Sequence, residues 1–150
     1  MIGIKFEIDN DYNSFLSKIL LGINTKSYKW YMPLGEVIDQ DENLFFSKSF
    51  YKDNYFRKKI RERYYIIHLI SHGFMDANVT EINNYNDYIN SSCNIVISII
   101  DSTIVNIYSK DAKLLKRIER NAKENKFTNI KYIYKDNDYQ EWFKKMTIIY

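Results

Sequence analysis

The sequence predicts an α+β fold, in which helices pack on one mixed, mostly antiparallel sheet and the chain ends in a β-hairpin–helix–strand unit. Three observations indicate this class. Residues 2–8 alternate apolar and polar side chains, as a half-buried strand does. Residues 94–100 form a nearly continuous apolar strand, and a helical apolar stripe follows at residues 114–122. Because no linker or repeat divides the chain, residues 1–150 are expected to form a single domain.

The chain opens with a predicted strand and helix. The side chains of residues 9–11 offer oxygen atoms that can cap a helix after the strand. The helix is predicted from apolar side chains spaced three and four residues apart, which are Tyr12, Phe15, Leu16, Ile19 and Leu20. Gly22 can adopt a positive φ, which is typical of the position where a helix ends.

The middle of the chain carries weaker patterns. Residues 28–32 and 35–38 are predicted to be two short strands around a turn at Pro33, and residues 44–46 a third. Residues 50–60 are predicted to form a helix, since Phe56 and Ile60 lie one turn apart. Residues 64–70 are apolar on both faces except for His68, which predicts a strand in the centre of the sheet.

The C-terminal half is predicted in more detail. Thr80 is expected to cap a short helix, and Asp101-Ser102 to form a tight turn between residues 94–100 and a second strand at 103–108. Asn106 in that second strand indicates weaker burial. Ser109 or Asp111 is expected to cap the longest helix, with Asn125 as a left-handed cap at its end. A strand at 130–134, parallel to the strand that the helix left, and a short helix at 139–144 complete the prediction.

Composition narrows the class of protein. A chain of 150 residues with 45% hydrophobic and 27% charged residues is typical of an ordered domain with a core of its own. Cys93 is the only cysteine, so no intramolecular disulfide is possible, and no apolar run approaches the roughly 18 residues of a membrane span. The first residues do not resemble a secretion signal. We therefore expect a soluble, cytoplasmic protein without a membrane partner.

Positive charge is concentrated in two segments. Residues 48–63 contain seven basic and two acidic residues, and residues 110–126 contain seven basic and three acidic residues. The first segment also contains tyrosine and phenylalanine, and cations beside aromatic rings are typical of grooves that bind single-stranded nucleic acid. An acidic protein partner fits the same surface. The candidate binding patch comprises Lys52, Arg57, Lys58, Lys59, Arg61, Arg63, Lys113, Arg117 and Arg120.

No catalytic or metal-binding motif stands out. His68 and His72 are four residues apart, and Cys93 or Asp76 would have to complete a metal site, but neither has a diagnostic spacing. We expect instead a partly buried His68 and a His72 in a loop, with Cys93 as a buried apolar residue. Four glycines leave little room for a phosphate-binding loop. No catalytic, cofactor-binding or metal-binding residue is therefore assigned, and no cofactor is expected.

Strand, turn and cap positions carry a likeness to a known family. They are Gly3-Ile4-Lys5-Phe6-Glu7-Ile8, Thr80-Glu81-Ile82, and most clearly Ser92-Cys93-Asn94-Ile95-Val96 with Ile100-Asp101-Ser102. In these segments the chain resembles the bacterial family known as the domain of unknown function number 2691. The likeness covers most of the chain and is weakest at residues 47–75. It implies a cytoplasmic bacterial protein of one domain, and it implies no activity, cofactor or catalytic residue.

Three functional hypotheses remain after these observations. The first is a non-enzymatic module that binds another protein, including the case of self-association. The alternative is a nucleic-acid-binding protein that uses the basic and aromatic patch, whose affinity would fall steeply with salt. The second alternative is an enzyme with an unfamiliar site around His68, His72 and Cys93. Because no catalytic set is recognisable, the sequence favours the first hypothesis.

Overall fold

The part of the chain that the structure describes contains seven strands and four helices. The computed structural model describes residues 1–135 and residue 143. The strands are β1 (Gly3–Glu7), β2 (Lys29–Ile38), β3 (Phe50–Lys52), β4 (Tyr65–Phe74), β5 (Cys93–Ile100), β6 (Ile104–Ser109) and β7 (Thr128–Ile133). The helices are α1 (Phe15–Ile19), α2 (Asp53–Lys59), α3 (Tyr85–Ile89) and α4 (Ala112–Glu124). The predicted helix at 139–144 lies outside the described residues, apart from the buried Phe143.

The strands form one sheet in the order β3-β2-β4-β5-β6-β1-β7. Every pairing among the described residues is antiparallel, which confirms the predicted α+β class. The N-terminal strand β1 lies between β6 and β7, and α4 carries the chain over β1. β7 therefore runs in the same direction as β6, as the hairpin–helix–strand unit predicts. Within the described part of the chain, no helix is long and apolar enough to cross a membrane.

The two faces of the sheet bury different side chains. One face packs on α1, α2 and α4, and its core includes Trp30, Phe56 and Leu115. Ring stacking between Trp30 and Phe56, with centroids 4.3 Å apart, fixes α2 against the sheet. The other face carries a smaller aromatic cluster around Tyr88 of α3 and Phe143. The larger core therefore holds the helices that matter for the candidate site.

The structure corrects the prediction around Pro33. Residues 29–38 form one strand rather than two strands and a turn. The register with β4 shifts between Tyr31 and Leu34, and Pro33 lies inside this irregular stretch. Proline lacks an N–H and is tolerated in a sheet where the ladder is already interrupted. The predicted strand at 44–46 is reduced to a bridge between Ile38 and Leu44.

Two predicted helices are shorter than their sequence patterns. The helix predicted from Tyr12 begins only at Phe15, because Asn13 forms an isolated antiparallel bridge with Tyr64. The helix predicted from Phe50 begins at Asp53, because residues 50–52 pair with β2 as an edge strand. In both places the residues that extend the helical spacing lie in a stretch whose backbone pairs with a distant part of the chain. Pairing with distant residues therefore overrode the local pattern.

Side-chain caps follow the sequence in part. Asp111 caps α4 by accepting a hydrogen bond from the Lys113 N–H at 2.9 Å, as predicted. The cap of α3 is Asn84, so the prediction of Thr80 was wrong. The residue with positive φ after α4 is Lys126 at 60°, and not Asn125. The side chain of Asn125 instead donates to a carbonyl of the last helical turns.

The hairpin between β5 and β6 follows the predicted turn but not the predicted burial. Asp101 and Ser102 have φ values of 51° and 68°, the left-handed conformations that a two-residue hairpin turn requires. β6 lies in the sheet between β5 and β1, and Asn106 is buried. The expectation of weaker burial was therefore wrong, because position in the sheet decides burial more than one polar side chain does.

Candidate functional site

A cleft lies at the outer edge of the sheet, where β3 meets α2. Its volume is about 540 Å³, within the usual range for ligand sites. The residues that line it come from β3, from the segment before it, and from α2 and the turn after it. They are Lys48, Phe50, Tyr51, Lys52, Tyr55, Lys58, Lys59 and Glu62.

Local packing explains why this cleft carries exposed aromatic rings. Tyr51 lies opposite Trp30 in the strand pairing, and its side chain is buried. Phe56 of α2 stacks on the same Trp30, so β3 and α2 share one anchor in the core. The alternating direction of side chains in a strand then turns Phe50 outward, where it is 46% exposed. Tyr55, next to the buried Phe56, is 65% exposed.

Positive charge dominates the cleft. Four lysines face one glutamate, and none of the four forms an ion pair within the described part of the chain. The Lys59 ammonium lies 4.2 Å from the centre of the Phe45 ring, a cation–π contact that holds this lysine in place. Lys29 lies 5.3 Å from the Phe50 ring. The charge of the cleft is therefore available to an anionic ligand.

Arg57, a residue of the predicted patch, is used inside the fold. Its guanidinium donates to Thr25 and to the carbonyl oxygens of Leu20 and Ile23. It also lies 3.7 Å from the Asp53 carboxylate, which accepts a hydrogen bond from Trp30. Burial lowers the pKa of Arg57, whereas Asp53 raises it, and an arginine stays charged at neutral pH in any case. Arg57 therefore fixes the loop after α1 to α2.

Arg117 plays a similar part from the other side of that loop. Its Nε donates to the Leu21 carbonyl at 3.2 Å, and the neighbouring Asn121 amide donates to the Ile19 and Leu21 carbonyls. The two predicted basic segments therefore meet at residues 19–25, but through arginines that bind backbone oxygens. Gly22 has the positive φ expected where α1 ends. The Arg117 guanidinium occupies the space that a side chain at this position would need.

The remaining patch residues are distributed over two surfaces. Lys52, Lys58 and Lys59 line the cleft, and Arg61 and Arg63 are exposed just after α2. Arg63 donates to the Tyr12 carbonyl. Lys113 and Arg120 lie exposed on α4, where Arg120 pairs with Glu124. Reasoning from the sequence missed Lys48 and Phe50 as site residues. Their signal was present, because Lys48 is the first residue of the basic segment and Phe50 lies two residues after it.

Comparison with known proteins places the chain in a family. Residues 1–144 match the family model described as protein of unknown function, DUF2691. The chain belongs to the DUF2691 family. This confirms the resemblance noted in the sequence, and the match includes residues 47–75, where the likeness was weakest. The DUF2691 chain is 28% identical over 145 residues to the Uncharacterized protein YncE of Bacillus subtilis (strain 168), across 91% of this chain and 94% of the relative. No solved structure matches it.

The histidines and the cysteine of this DUF2691 chain do not form one site. His68 is partly exposed and lies 3.8 Å from Asp101, whereas His72 is buried within β4, so its prediction as a loop residue was wrong. Burial raises the pKa of the Cys93 thiol to about 12, which leaves it protonated at neutral pH. Among the described residues, no group of three His, Cys, Asp or Glu side chains is placed to hold a metal ion.

A buried polar row on the other face of the sheet was not anticipated from the sequence. Ser98 lies opposite Asn106 in the pairing of β5 with β6, and His72 lies two residues along β4 on the same face. Both His72 ring nitrogens and the Asn106 Nδ2 lack a hydrogen-bond partner among residues 1–135 and 143. These polar residues interrupt apolar runs in the sequence, which is the signal that would have pointed to them. The row is closed to solvent and lies apart from the cleft.

Proposed function

We propose that this DUF2691 protein is a cytoplasmic, non-enzymatic interaction module whose cleft binds an acidic segment of another protein. The observation that carries the proposal is the lining of the cleft by four lysines, which form no ion pair with the other described residues, beside the exposed rings of Phe50 and Tyr55. The lone and buried Cys93 is consistent with a reducing compartment.

The lining has the chemistry of a protein interface. Aromatic side chains contribute contact area at a small loss of conformational entropy, and they dominate the affinity of many interfaces. Lysines around them attract an acidic partner and raise the rate of encounter. Tyr51 and Phe56 hold the walls of the cleft against the core, so its shape exists before the partner arrives. A preformed site avoids part of the entropy loss of binding.

The test compares two variants with matched changes of charge. The cleft variant combines Lys52→Glu with Lys58→Glu, and the control combines Lys113→Glu with Lys116→Glu on the exposed face of α4. Each tagged protein is used to capture partners from a nuclease-treated lysate of the bacterium that makes it. A partner bound by the wild type and the control, but lost with the cleft variant, supports the proposal. A partner that the cleft variant retains overturns it.

Single-stranded nucleic acid is the second candidate, because exposed aromatic rings beside lysines also suit base stacking and phosphate binding. It is tested with a labelled single-stranded oligonucleotide by fluorescence anisotropy at several salt concentrations. If three or four lysines replace counterions, the logarithm of the affinity should fall with the logarithm of salt with a slope of about −2 to −3. An affinity that does not change with salt concentration, or that is unchanged in the cleft variant, refutes this candidate. Arg57 is excluded from these variants, because it supports the fold.

A further inference from the structure

The hydrogen-bond register of β3 leaves part of its backbone facing the cleft. The Met32 N–H donates to the Ser49 carbonyl at 2.8 Å, and the Asp53 N–H donates to the Tyr28 carbonyl at 3.2 Å. These bonds flank the pairs of Tyr31 with Phe50 and of Lys29 with Lys52, so neither pair exchanges hydrogen bonds directly. Tyr51 therefore bonds to β2, whereas the N–H and C=O of Phe50 and the N–H of Lys52 point outward.

No strand of the described residues lies on the outward side of β3. β3 is an outermost strand of the sheet, and Phe50, Tyr51 and Lys52 all line the cleft. Proteins usually protect such edges because unpaired N–H and C=O groups can pair with another chain. Here α2 rises beside the edge and forms the second wall. The result is a slot with a strand edge on one side and lysines on the other.

We propose that the cleft binds the acidic segment as an extended strand, which pairs with the edge of β3. This inference rests on the proposed function and specifies the form of its partner. Peptides that add to a sheet edge gain affinity from backbone hydrogen bonds and specificity from alternate side chains. The three residues of β3 match a partner segment of three or four residues, which spans roughly 10–13 Å at about 3.3 Å per residue.

The two walls specify a pattern in the partner. A strand added to β3 directs alternate side chains towards α2 and away from it. On the α2 side they meet Lys58, Lys59 and Tyr55, which favours Asp or Glu at those positions. On the opposite side they lie beside Phe50 and Lys52, which share one face of β3, and the Phe50 ring favours apolar residues there. The expected segment therefore alternates acidic and apolar residues. The backbone of a nucleic acid has no N–H to donate to the Phe50 carbonyl, so the strand edge favours a peptide.

The test follows amide hydrogen exchange by NMR, with a peptide of eight residues that alternates glutamate and valine as the probe. In the free protein the Tyr51 N–H is already bonded to β2, whereas the Phe50 N–H faces solvent. We expect saturating peptide to slow exchange of the Phe50 amide at least about tenfold and to change that of Tyr51 little. A peptide of the same sequence, methylated at alternate backbone nitrogens, should bind at least about tenfold more weakly, because it lacks the donors.

The outcomes separate the strand geometry from the proposed function. The peptide could bind without slowing exchange of the Phe50 amide, and the variant with Lys52→Glu and Lys58→Glu could abolish that binding. This result overturns the added strand but leaves the cleft as the binding site. If the peptide does not bind at concentrations up to millimolar, the added strand is overturned. The capture experiment with the cleft variant then tests the proposed function independently of the strand geometry. Phe50→Pro removes the outward N–H, whereas Phe50→Ala removes only the ring. Capture that is clearly weaker with Phe50→Pro than with Phe50→Ala supports the strand, and equal capture by both overturns it.

Discussion

His72 should make the stability of this protein depend on pH. Its side chain is 1% exposed, and its ring contacts the rings of Tyr31 and Phe74. Neither ring nitrogen has a hydrogen-bond partner within the described part of the chain. Burial alone lowers the pKa of His72 from 6.5 to about 4, because the apolar surroundings disfavour the charged imidazolium. The folded protein therefore holds this histidine neutral under conditions in which the unfolded chain would protonate it.

The size and sign of the effect follow from these two pKa values. Between pH 6.5 and about 4 the unfolded state binds more protons at this site than the folded state does. Stability is fully present above pH 6.5 and is lost as the pH falls towards about 4. The difference between the two pKa values corresponds to a maximum loss of roughly 3 kcal/mol in the free energy of unfolding. Of this, about 2 kcal/mol is lost between pH 7.5 and pH 5.0.

Urea denaturation of the wild type, His72→Leu and His68→Leu at pH 7.5 and pH 5.0 measures this difference. Between pH 7.5 and pH 5.0, we expect the free energy of unfolding of His72→Leu to fall by about 2 kcal/mol less than that of the wild type. It should be no less stable at pH 7.5, because the unpaired nitrogens are gone. His68→Leu, which removes a partly exposed histidine, should retain the dependence of the wild type. An unchanged pH dependence in His72→Leu would show that the buried imidazole is not its source.

Substitutions at three further positions test other contacts. Asp53→Ala should lower the free energy of unfolding by at least about 2 kcal/mol in urea denaturation, because it leaves Arg57 without its carboxylate partner. Asp53→Asn should lower it less, because the amide oxygen can still accept the hydrogen bond from Trp30. Ser102→Gly should raise stability by about 0.5–1 kcal/mol, since glycine adopts the φ of 68° without strain, and no gain in melting temperature would contradict this. Gly73→Ala should cost about 1–3 kcal/mol, because its Cβ would lie 2.6 Å from the Ile95 side chain, and wild-type stability would contradict it.

The sequence predicted the elements whose local pattern agrees with their place in the sheet. The apolar run of β5, the Asp101-Ser102 turn and the stripe of α4 with its Asp111 cap were all confirmed. Each depends on contacts close in sequence or on apolar periodicity alone. The errors occurred where distant pairing decides the backbone. Pro33 was assigned to a turn because its neighbours in β4 cannot be read from the local sequence. Residues 50–52 were assigned to a helix because their pairing with β2 cannot be read from it either.

The site was predicted in composition but not in arrangement. The basic and aromatic character of residues 48–63 pointed to the region of the cleft. Charge alone could not separate Lys52 and Lys58, which face the cleft, from Arg57, which binds backbone carbonyls of the loop after α1. That difference depends on residues 20–25 lying against α2, a contact between segments more than 30 residues apart. The free edge of β3 depends on sheet order and register, which no local pattern encodes.

The insertion of β1 between β6 and β7 has a consequence for biosynthesis. During synthesis β1 leaves the ribosome before both of its partners in the described part of the chain, residues 104–109 and 128–133. At about 5–20 residues per second, β1 waits roughly 5 to 25 s for these partners. Until then its apolar side chains Ile4 and Phe6 have no sheet in which to be buried. The nascent chain is therefore a natural client for chaperones that bind exposed apolar segments, and it can complete this sheet only after residue 133 has been made.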